Sequence, residues 1–275
     1  MKTKKIGFIG AGNMATSLIQ GLIASGHTPE NIWISDINSD SLQILSKNLN
    51  VNIADNNIAL VNGVDVVVLA VKPQILRTVA EEIATIIGRL QPLVVSIAAG
   101  ISQSSLTQWL GEEVAIVRCM PNTPALVLTG ATALHANSNV NDEQRDSAEN
   151  ILRAVGISLW LDNEAELDTV TAVSGSGPAY FFLLMEAMES AARELGLNEH
   201  QARLLILQTA LGAAKIALES NESPEQLRKR VTSPGGTTQA AIECFEQKGF
   251  SAIVNQAIHA AHNRSVSMAK ELGAL

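Results

Sequence analysis

The sequence predicts an α/β fold, a parallel sheet with helices on both faces, followed by an all-helical half. Three observations carry this. Over roughly the first hundred residues, short β-branched runs alternate with stretches of helical spacing, the pattern of parallel strands joined by crossover helices. One of these runs, DVVVLAV at residues 65–71, has no polar face, as expected of a strand covered from both sides. Beyond about residue 160 the alternation stops and helical spacing is almost unbroken.

The elements follow in order. Apolar runs at residues 5–9, 32–35, 64–71 and 93–98 are the first four strands. Runs at 114–118 and 131–135 add two more, a helix spans 142–155, and a strand at 158–161 closes a first domain, 1–162. In the second, 163–275, Phe181, Leu184, Met185, Met188, Ala192 and Leu195 share one helix face. Asn198 with Gln201, and Ser223 with Pro224 and Gln226, have the spacing of capped helix starts. Residues 204–218 are apolar over more than one face, so a second subunit is expected to cover the excess. A homodimer, open to assembly into a larger homo-oligomer, is the expected state.

Composition limits the function classes. Lys plus Arg total 19 against 27 Asp plus Glu, a net charge of −8, and the basic residues form no run that would track a phosphate backbone. Nucleic acid is not an expected partner. Cys119 and Cys244 have neither CxxC nor Cys/His spacing, so no metal site and no disulfide framework is expected, and a reducing cytoplasm fits. The basic head of MKTKKIGFIGAG leads into an apolar stretch broken by glycines and Asn13, which is not an export signal. No run of roughly 18 apolar residues offers a membrane span.

IGFIGAGNMA, residues 6–15, places Gly10, Gly12 and Ala15 in a GxGxxG/A pattern between a strand and a helix. Gly10 permits the tight turn, Gly12 lets a diphosphate approach the backbone, and Ala15 lets the helix pack close to the strand. Free amides at that helix start would hold the phosphates. The sheet is therefore read as Rossmann-type, binding a dinucleotide. At the end of the second strand stand Ser35, Asp36, Ile37 and Asn38. An acidic residue there favours a ribose 2′-hydroxyl, hence NAD. Alternatively, Asp36 caps the next helix or turns outward, while Ser35, Asn38 and Asn57 offer uncharged donors to a 2′-phosphate.

Lys72 and Pro73 follow the 65–71 run at its carboxyl end, where open parallel sheets bind ligands. Lys72 either approaches the cofactor or is a solvated lysine at the head of a loop. SIAAG, residues 96–100, ends the next strand in small residues that leave room for a flat ring or simply pack tightly. MPNTP, residues 120–124, frames Asn122 and Thr123 between prolines, a rigid loop able to aim polar groups into a cleft.

SGSGPAY at 174–180, with Ser176 among its hydroxyls, and SPGGTT at 233–238 each stand at a helix start inside the helical half, exposing amides and hydroxyls to a small carboxylate. The ordered series IGFIGAGNMA, AVKP, SIAAG, RCMPNTPA, AVSGSGPAY and RVTSPGGTT, from residue 6 to about 270, resembles the pyrroline-5-carboxylate reductase family. The resemblance implies a dinucleotide-binding domain followed by a helical dimerisation domain, each active site being completed by the partner subunit. The implied reaction is reduction of 1-pyrroline-5-carboxylate to L-proline by NADPH or NADH. By the same analogy Ile9, Gly10, Ala11, Gly12, Asn13, Met14, Asn57, Ala70, Val71, Lys72 and Pro73 touch the cofactor, with Ser96, Ile97 and Ala98 beneath the nicotinamide. Ser233, Gly235, Gly236, Thr237 and Thr238 look like the pocket for the imine and its carboxylate. Glu164 and Glu222 fall where some relatives place acidic groups near the site, or are plain surface charges. Two departures stand out: Asp36, where NADPH-preferring members often carry serine or threonine, and Arg230, where some carry asparagine.

The chemistry agrees with an imine. A cyclic imine protonated on nitrogen is already electrophilic, so the site needs mainly placement, with Thr238, the candidate catalytic residue, hydrogen-bonded to the ring nitrogen. Carbonyl reduction instead needs a proton donor as the alkoxide develops. No lysine occurs between Lys72 and Lys215, which argues against a hydroxyacid dehydrogenase; neither His135 nor His200 looks like a poised acid, and Tyr180, the single tyrosine, either serves as the donor or packs in the core beside Phe181 and Phe182.

Overall fold

Short runs of Val, Ile and Leu make the strands β1 (Ile6–Ile9), β2 (Ile32–Ser35), β3 (Asn52–Ile53), β4 (Val66–Leu69), β5 (Leu93–Ser96), β6 (Ile116–Met120), β7 (Gly130–Ala136) and β8 (Gly156–Trp160). In the computed structural model, which describes residues 4–273, they form one sheet in the order β3-β2-β1-β4-β5-β6-β7-β8. Every neighbouring pair is parallel except β6 and β7. The helices of this half are α1 (Asn13–Ala24), α2 (Ser39–Leu49), α3 (Asn57–Asn62), α4 (Pro73–Leu90), α5 (Gln103–Leu110) and α6 (Asp142–Arg153).

The all-apolar β4 run behaves as its composition requires. Val66 and Val68 face a core shared with Leu18 and Ile19 of α1 and Ile151 of α6. Val67 and Leu69 face the opposite core, with Leu76, Ile83 and Ile87 of α4 and Leu106 of α5. All four are at most 1% exposed, and each such side chain contributes about 1.5–3 kcal/mol of burial. The two-residue β3, which pairs only through Trp33–Asn52 and Ile34–Ile53, was not expected from the sequence.

After β8 the chain is helical: α7 (Glu166–Val170), a π-helical turn at Thr171–Gly175, then α8 (Gly177–Glu194), α9 (Glu199–Glu219), α10 (Pro224–Arg230), α11 (Thr237–Gln247) and α12 (Phe250–Gly273). Both expected capping boxes form, Asn198 with Gln201 and Ser223 with Gln226, and Pro224 occupies the first turn. Internal packing divides the chain between Ser176 and Gly177 and again between Ala260 and Ala261. The last turns of α12 therefore belong to the sheet unit, where Ser265 Oγ donates to Asp168 Oδ1 at 2.6 Å. The pattern change that places the sequence boundary at 162 is the end of β8, while the packing division comes later because α7 and the π turn still rest on the sheet.

Candidate active site

Strand order reverses between β1 and β4: the chain runs outward through β2 and β3 on one side and through β5 and β6 on the other. In open α/β sheets the crevice at such a point, at the carboxyl ends of the strands, is where ligands bind. Gly10 leaves β1 with φ +102°, and a Cβ there would stand 2.7 Å from the carbonyl carbon and oxygen of Ala70. Glycine is thus required twice, by conformation and by the close approach of two chain segments. Gly12 differs: its φ is −76°, and nothing lies within 4 Å of the Cβ position. It is the N-cap of α1, no side chain caps it, and the first turn has no acidic residue. Open space in front of an uncapped helix start suits a diphosphate. The residues present therefore fit a dinucleotide.

Asp36, directly after β2, faces this turn: Oδ2 accepts the Ala11 amide at 2.7 Å and Oδ1 accepts the Asn38 amide at 2.9 Å. The cap of α2 is Asn38, whose Oδ1 accepts from the Ser41 amide at 3.1 Å, so Asp36 is not the helix cap. Ser35 Oγ donates to Asn57 Oδ1, and Asn57 Nδ2 donates to Glu82 Oε2, both at 2.8 Å. Ser35 and Asn57 are thus engaged with each other and with a carboxylate, while the Asn38 oxygen is engaged at the start of α2.

At the end of β4, Ala70 and Val71 are half-buried. Lys72 is exposed as the N-cap of α4, with Pro73 in the first turn, and its side chain has no ion pair or hydrogen bond among the described residues. β5 ends in Ser96, whose hydroxyl is fully buried without a hydrogen-bond partner among the described residues, followed by half-buried Ile97 and buried Ala98.

Three residues expected on the substrate side lie in the sheet unit. Asn122 Oδ1 accepts the Ala131 amide at 2.9 Å and Nδ2 donates to Ser174 O at 3.0 Å, so its amide ties the exit of β6 to β7 and to the π turn. The Ser176 amide donates to Thr171 O at 2.8 Å, and its hydroxyl has no partner among the described residues. Glu164 Oε1 accepts from Arg118 Nη1 and from the Gln103 amide, both at 2.7 Å. With the Arg118 side chain 7% exposed and that of Glu164 26%, this is a partly buried bridge joining β6, α5 and the approach to α7, not a solvated surface charge. Its signal in the sequence is Arg118 itself, the single charge in an apolar strand.

In the helical unit, residues 233–238 bend the chain from α10 into α11. Gly235 has φ +69°, and the Gly236 amide donates to Ser233 O at 3.0 Å. Gly236 caps α11 without a side-chain hydrogen bond, and the hydroxyls of Ser233, Thr237 and Thr238 have no partner among the described residues. Just upstream, Arg230 Nη1 donates to both oxygens of Glu222, at 3.0 and 3.1 Å.

Two family models match the chain. One, described as pyrroline-5-carboxylate reductase dimerisation, covers residues 164–268, and one, described as NADP oxidoreductase coenzyme F420-dependent, covers residues 5–100. The pyrroline-5-carboxylate reductase of Pseudomonas aeruginosa is 51% identical over 273 residues, 99% of this chain and 100% of that protein. The chain belongs to the pyrroline-5-carboxylate reductase family. Among solved structures, a pyrroline-5-carboxylate reductase of Coxiella burnetii superposes with a TM-score of 0.93 at 44% identity, covering 97% of this chain and 99% of that one. The Plasmodium falciparum pyrroline carboxylate reductase, solved with NADP bound, gives 0.87 at 31% identity, covering 98% and 99%. As a pyrroline-5-carboxylate reductase, the protein is an NAD(P)-dependent oxidoreductase that reduces 1-pyrroline-5-carboxylate to L-proline, in proline biosynthesis. The expected fold class, a Rossmann-type sheet followed by a helical dimerisation domain, holds. No helix of the described residues is long and apolar enough to cross a membrane.

Proposed function

We propose a division of labour within this reductase. The sheet unit holds the dinucleotide, its diphosphate on the amides of Gly12, Asn13 and Met14, with Ile9, Gly10, Ala11, Ala70, Val71, Lys72 and Pro73 lining the crevice. Ser96, Ile97 and Ala98, at the end of β5, form the floor for the nicotinamide. The helical unit holds the imino acid: the start of α11 receives the carboxylate, and Thr238 Oγ1 accepts the N–H of the protonated ring. Bound, the reduced nicotinamide supplies the hydride. Because the protonated imine is already electrophilic, no side chain has to deliver a proton to carbon or oxygen, and placement is the main task.

The observation that carries this reading is the set of unspent hydroxyls, Ser233, Thr237 and Thr238, around an uncapped helix start. Thr238→Ala is expected to cost about 1–3 kcal/mol of barrier, as loss of one charge-assisted hydrogen bond does. Steady-state loss of nicotinamide absorbance with 1-pyrroline-5-carboxylate measures it, and unchanged kinetics would remove the assignment. Within the sheet unit, Asn122 and Glu164 hold the π turn and the approach to α7 through the contacts described above, and Ser176, whose hydroxyl has no partner among the described residues, is the polar group proposed there for the substrate.

We also infer a preference for NADH. Asp36 is held against the glycine turn by the Ala11 amide, and no lysine or arginine occurs between Lys5 and Lys47 to offset it. A 2′-phosphate would meet that carboxylate, whereas ribose hydroxyls can donate to it. Ser35 and Asn57 buttress the same corner. Replacing Asp36 by serine should raise the NADPH-to-NADH ratio of kcat/KM, and a ratio that stays constant would mean the carboxylate does not read the ribose. The protein is proposed to act as a homodimer or a larger homo-oligomer, built on the apolar helices of the second unit, in the cytoplasm, where its free cysteines Cys119 and Cys244 stay reduced.

A further inference from the structure

The bend that leads into α11 is fastened by a side chain the sequence motifs do not include. In an ordinary capping box the residue at the third helical position returns to the amide of the N-cap. Here the N-cap amide, that of Gly236, is already donated to Ser233 O. Gln239, at the third position, reaches one residue further back, and its Oε1 accepts the Gly235 amide at 2.6 Å. Its Nε2 donates to Glu243 Oε1, one turn along the helix, also at 2.6 Å. The carboxylate fixes the amide's orientation: with the NH2 group drawn to Glu243, the oxygen faces the bend.

Gly235 has most need of such a tie. It sits at φ +69° with nothing within 4 Å of its Cβ position, so neither packing nor a side chain of its own restrains it. Once the Gly235 and Gly236 amides are spent inside the bend, the first-turn amides of Thr237, Thr238 and Gln239 remain unpartnered, next to the free hydroxyls.

We propose that Gln239 is a positioning residue for the imino acid: through Gly235 it holds the bend in the shape that presents the α11 amides and the Thr238 hydroxyl to the substrate carboxylate and ring nitrogen, and Glu243 orients it for the task. The inference rests on the reading that this bend binds the substrate. It assigns no contact between Gln239 and the substrate, so its signature is a rise in KM for the imino acid that exceeds any fall in kcat.

The test uses the full-length protein with NADH and 1-pyrroline-5-carboxylate, each varied at saturation of the other. Gln239→Leu keeps a good helix former on a half-exposed helix position but removes the acceptor, and should raise KM for the imino acid roughly three- to tenfold, leaving KM for NADH unchanged. Gln239→Glu keeps an acceptor at the same reach and should recover most of that loss, more fully with Glu243→Gln, which relieves the like-charge pair one turn apart. Unchanged kinetics in Gln239→Leu, an equal rise in both KM values, or no recovery with glutamate overturns the proposal. Hydrogen exchange at the Gly235 amide of the unaltered protein is an independent check, and exchange as fast as in an open loop also overturns it. If Thr238→Ala slows turnover while Gln239→Leu does nothing, this inference fails alone. If Thr238→Ala is also without effect, the assignment of the bend to the substrate fails.

Discussion

The sheet unit and the helical unit use their apolar residues in opposite ways. In the first, strand residues are enclosed by helices of the same chain on both faces, and Val67, Val68 and Leu69 are completely buried. In the second, Ala202 and Ile206 are the buried hydrophobic residues of the described stretch 177–260, while Phe181, Phe182, Leu183, Leu204, Leu205, Leu211 and Ile216 stay 57–66% exposed. Exposed apolar surface of that extent marks an interaction site, and this segment matches a dimerisation family. The lesson is that one hydrophobic pattern is completed within the chain and the other is written for a surface outside it.

The strongest way to break that comparison is to charge an exposed aliphatic residue in each unit. Leu211 in α9 is 59% exposed and Ile44 in α2 is 62% exposed, so a single chain would tolerate glutamate equally at both. If α9 is covered in the assembly, Leu211→Glu buries an unpaired carboxylate and costs several kcal/mol, about 3 or more. Light scattering should then report a smaller particle with lost turnover, while Ile44→Glu keeps the parent mass and stays within about 0.5 kcal/mol of its stability. Equal behaviour of the two variants would erase the distinction.

A smaller effect separates fold from ligand inside the sheet unit. Gly10→Ala forces a side chain into a left-handed conformation and against Ala70, and should cost about 1–3 kcal/mol of stability in a denaturant titration. Gly12→Ala meets no atom of the described residues and has an ordinary φ. It should unfold with the parent, within about 0.5 kcal/mol, yet bind NADH more weakly in a fluorescence titration, because the added methyl occupies the space proposed for the diphosphate. Unimpaired NADH binding by Gly12→Ala would move the diphosphate elsewhere.

What was legible in the sequence follows the same divide. Features set by neighbours in the chain could be read directly: the two-faced burial of β4, the glycine turn at β1 and both capping boxes. β3 escaped because two residues carry no periodicity. The helix expected to 155 stops at Arg153 because the chain must turn into Gly156, which lies at φ +150° directly against Gly130. Asp36 and Asn38 stand two residues apart, both able to cap α2, and spacing alone does not choose Asn38. The partners of Glu164 lie 46 and 61 residues away, a pairing no linear spacing encodes. The Gln239 tie was local and escaped only because it reaches past the N-cap to the residue before it.

The smallest predicted effect sharpens the comparison through pH. In the helical unit, the Lys229 ammonium bonded to Glu225 holds that exposed carboxyl below its usual 4.5, so its contribution is present above that value and is lost only as the pH falls below it. In the sheet unit, burial holds the His27 imidazole below its usual 6.5, against a hydrogen bond with the Lys4 backbone that pulls the other way, and its Nε2 has no partner among the described residues. A depressed histidine favours the neutral form in the folded state. The unfolded chain therefore takes up the proton first, and stability that is complete above 6.5 declines as the pH falls from there toward the folded value. Mild acid should thus weaken the sheet unit from within before it touches the surface pair of the helical unit. His27→Gln, which cannot titrate, should flatten the fall in Tm between about pH 7 and about pH 5, whereas Glu225→Gln should leave that part of the curve unchanged. A parent-like slope in His27→Gln would show that this half-buried imidazole is not the group through which acid acts.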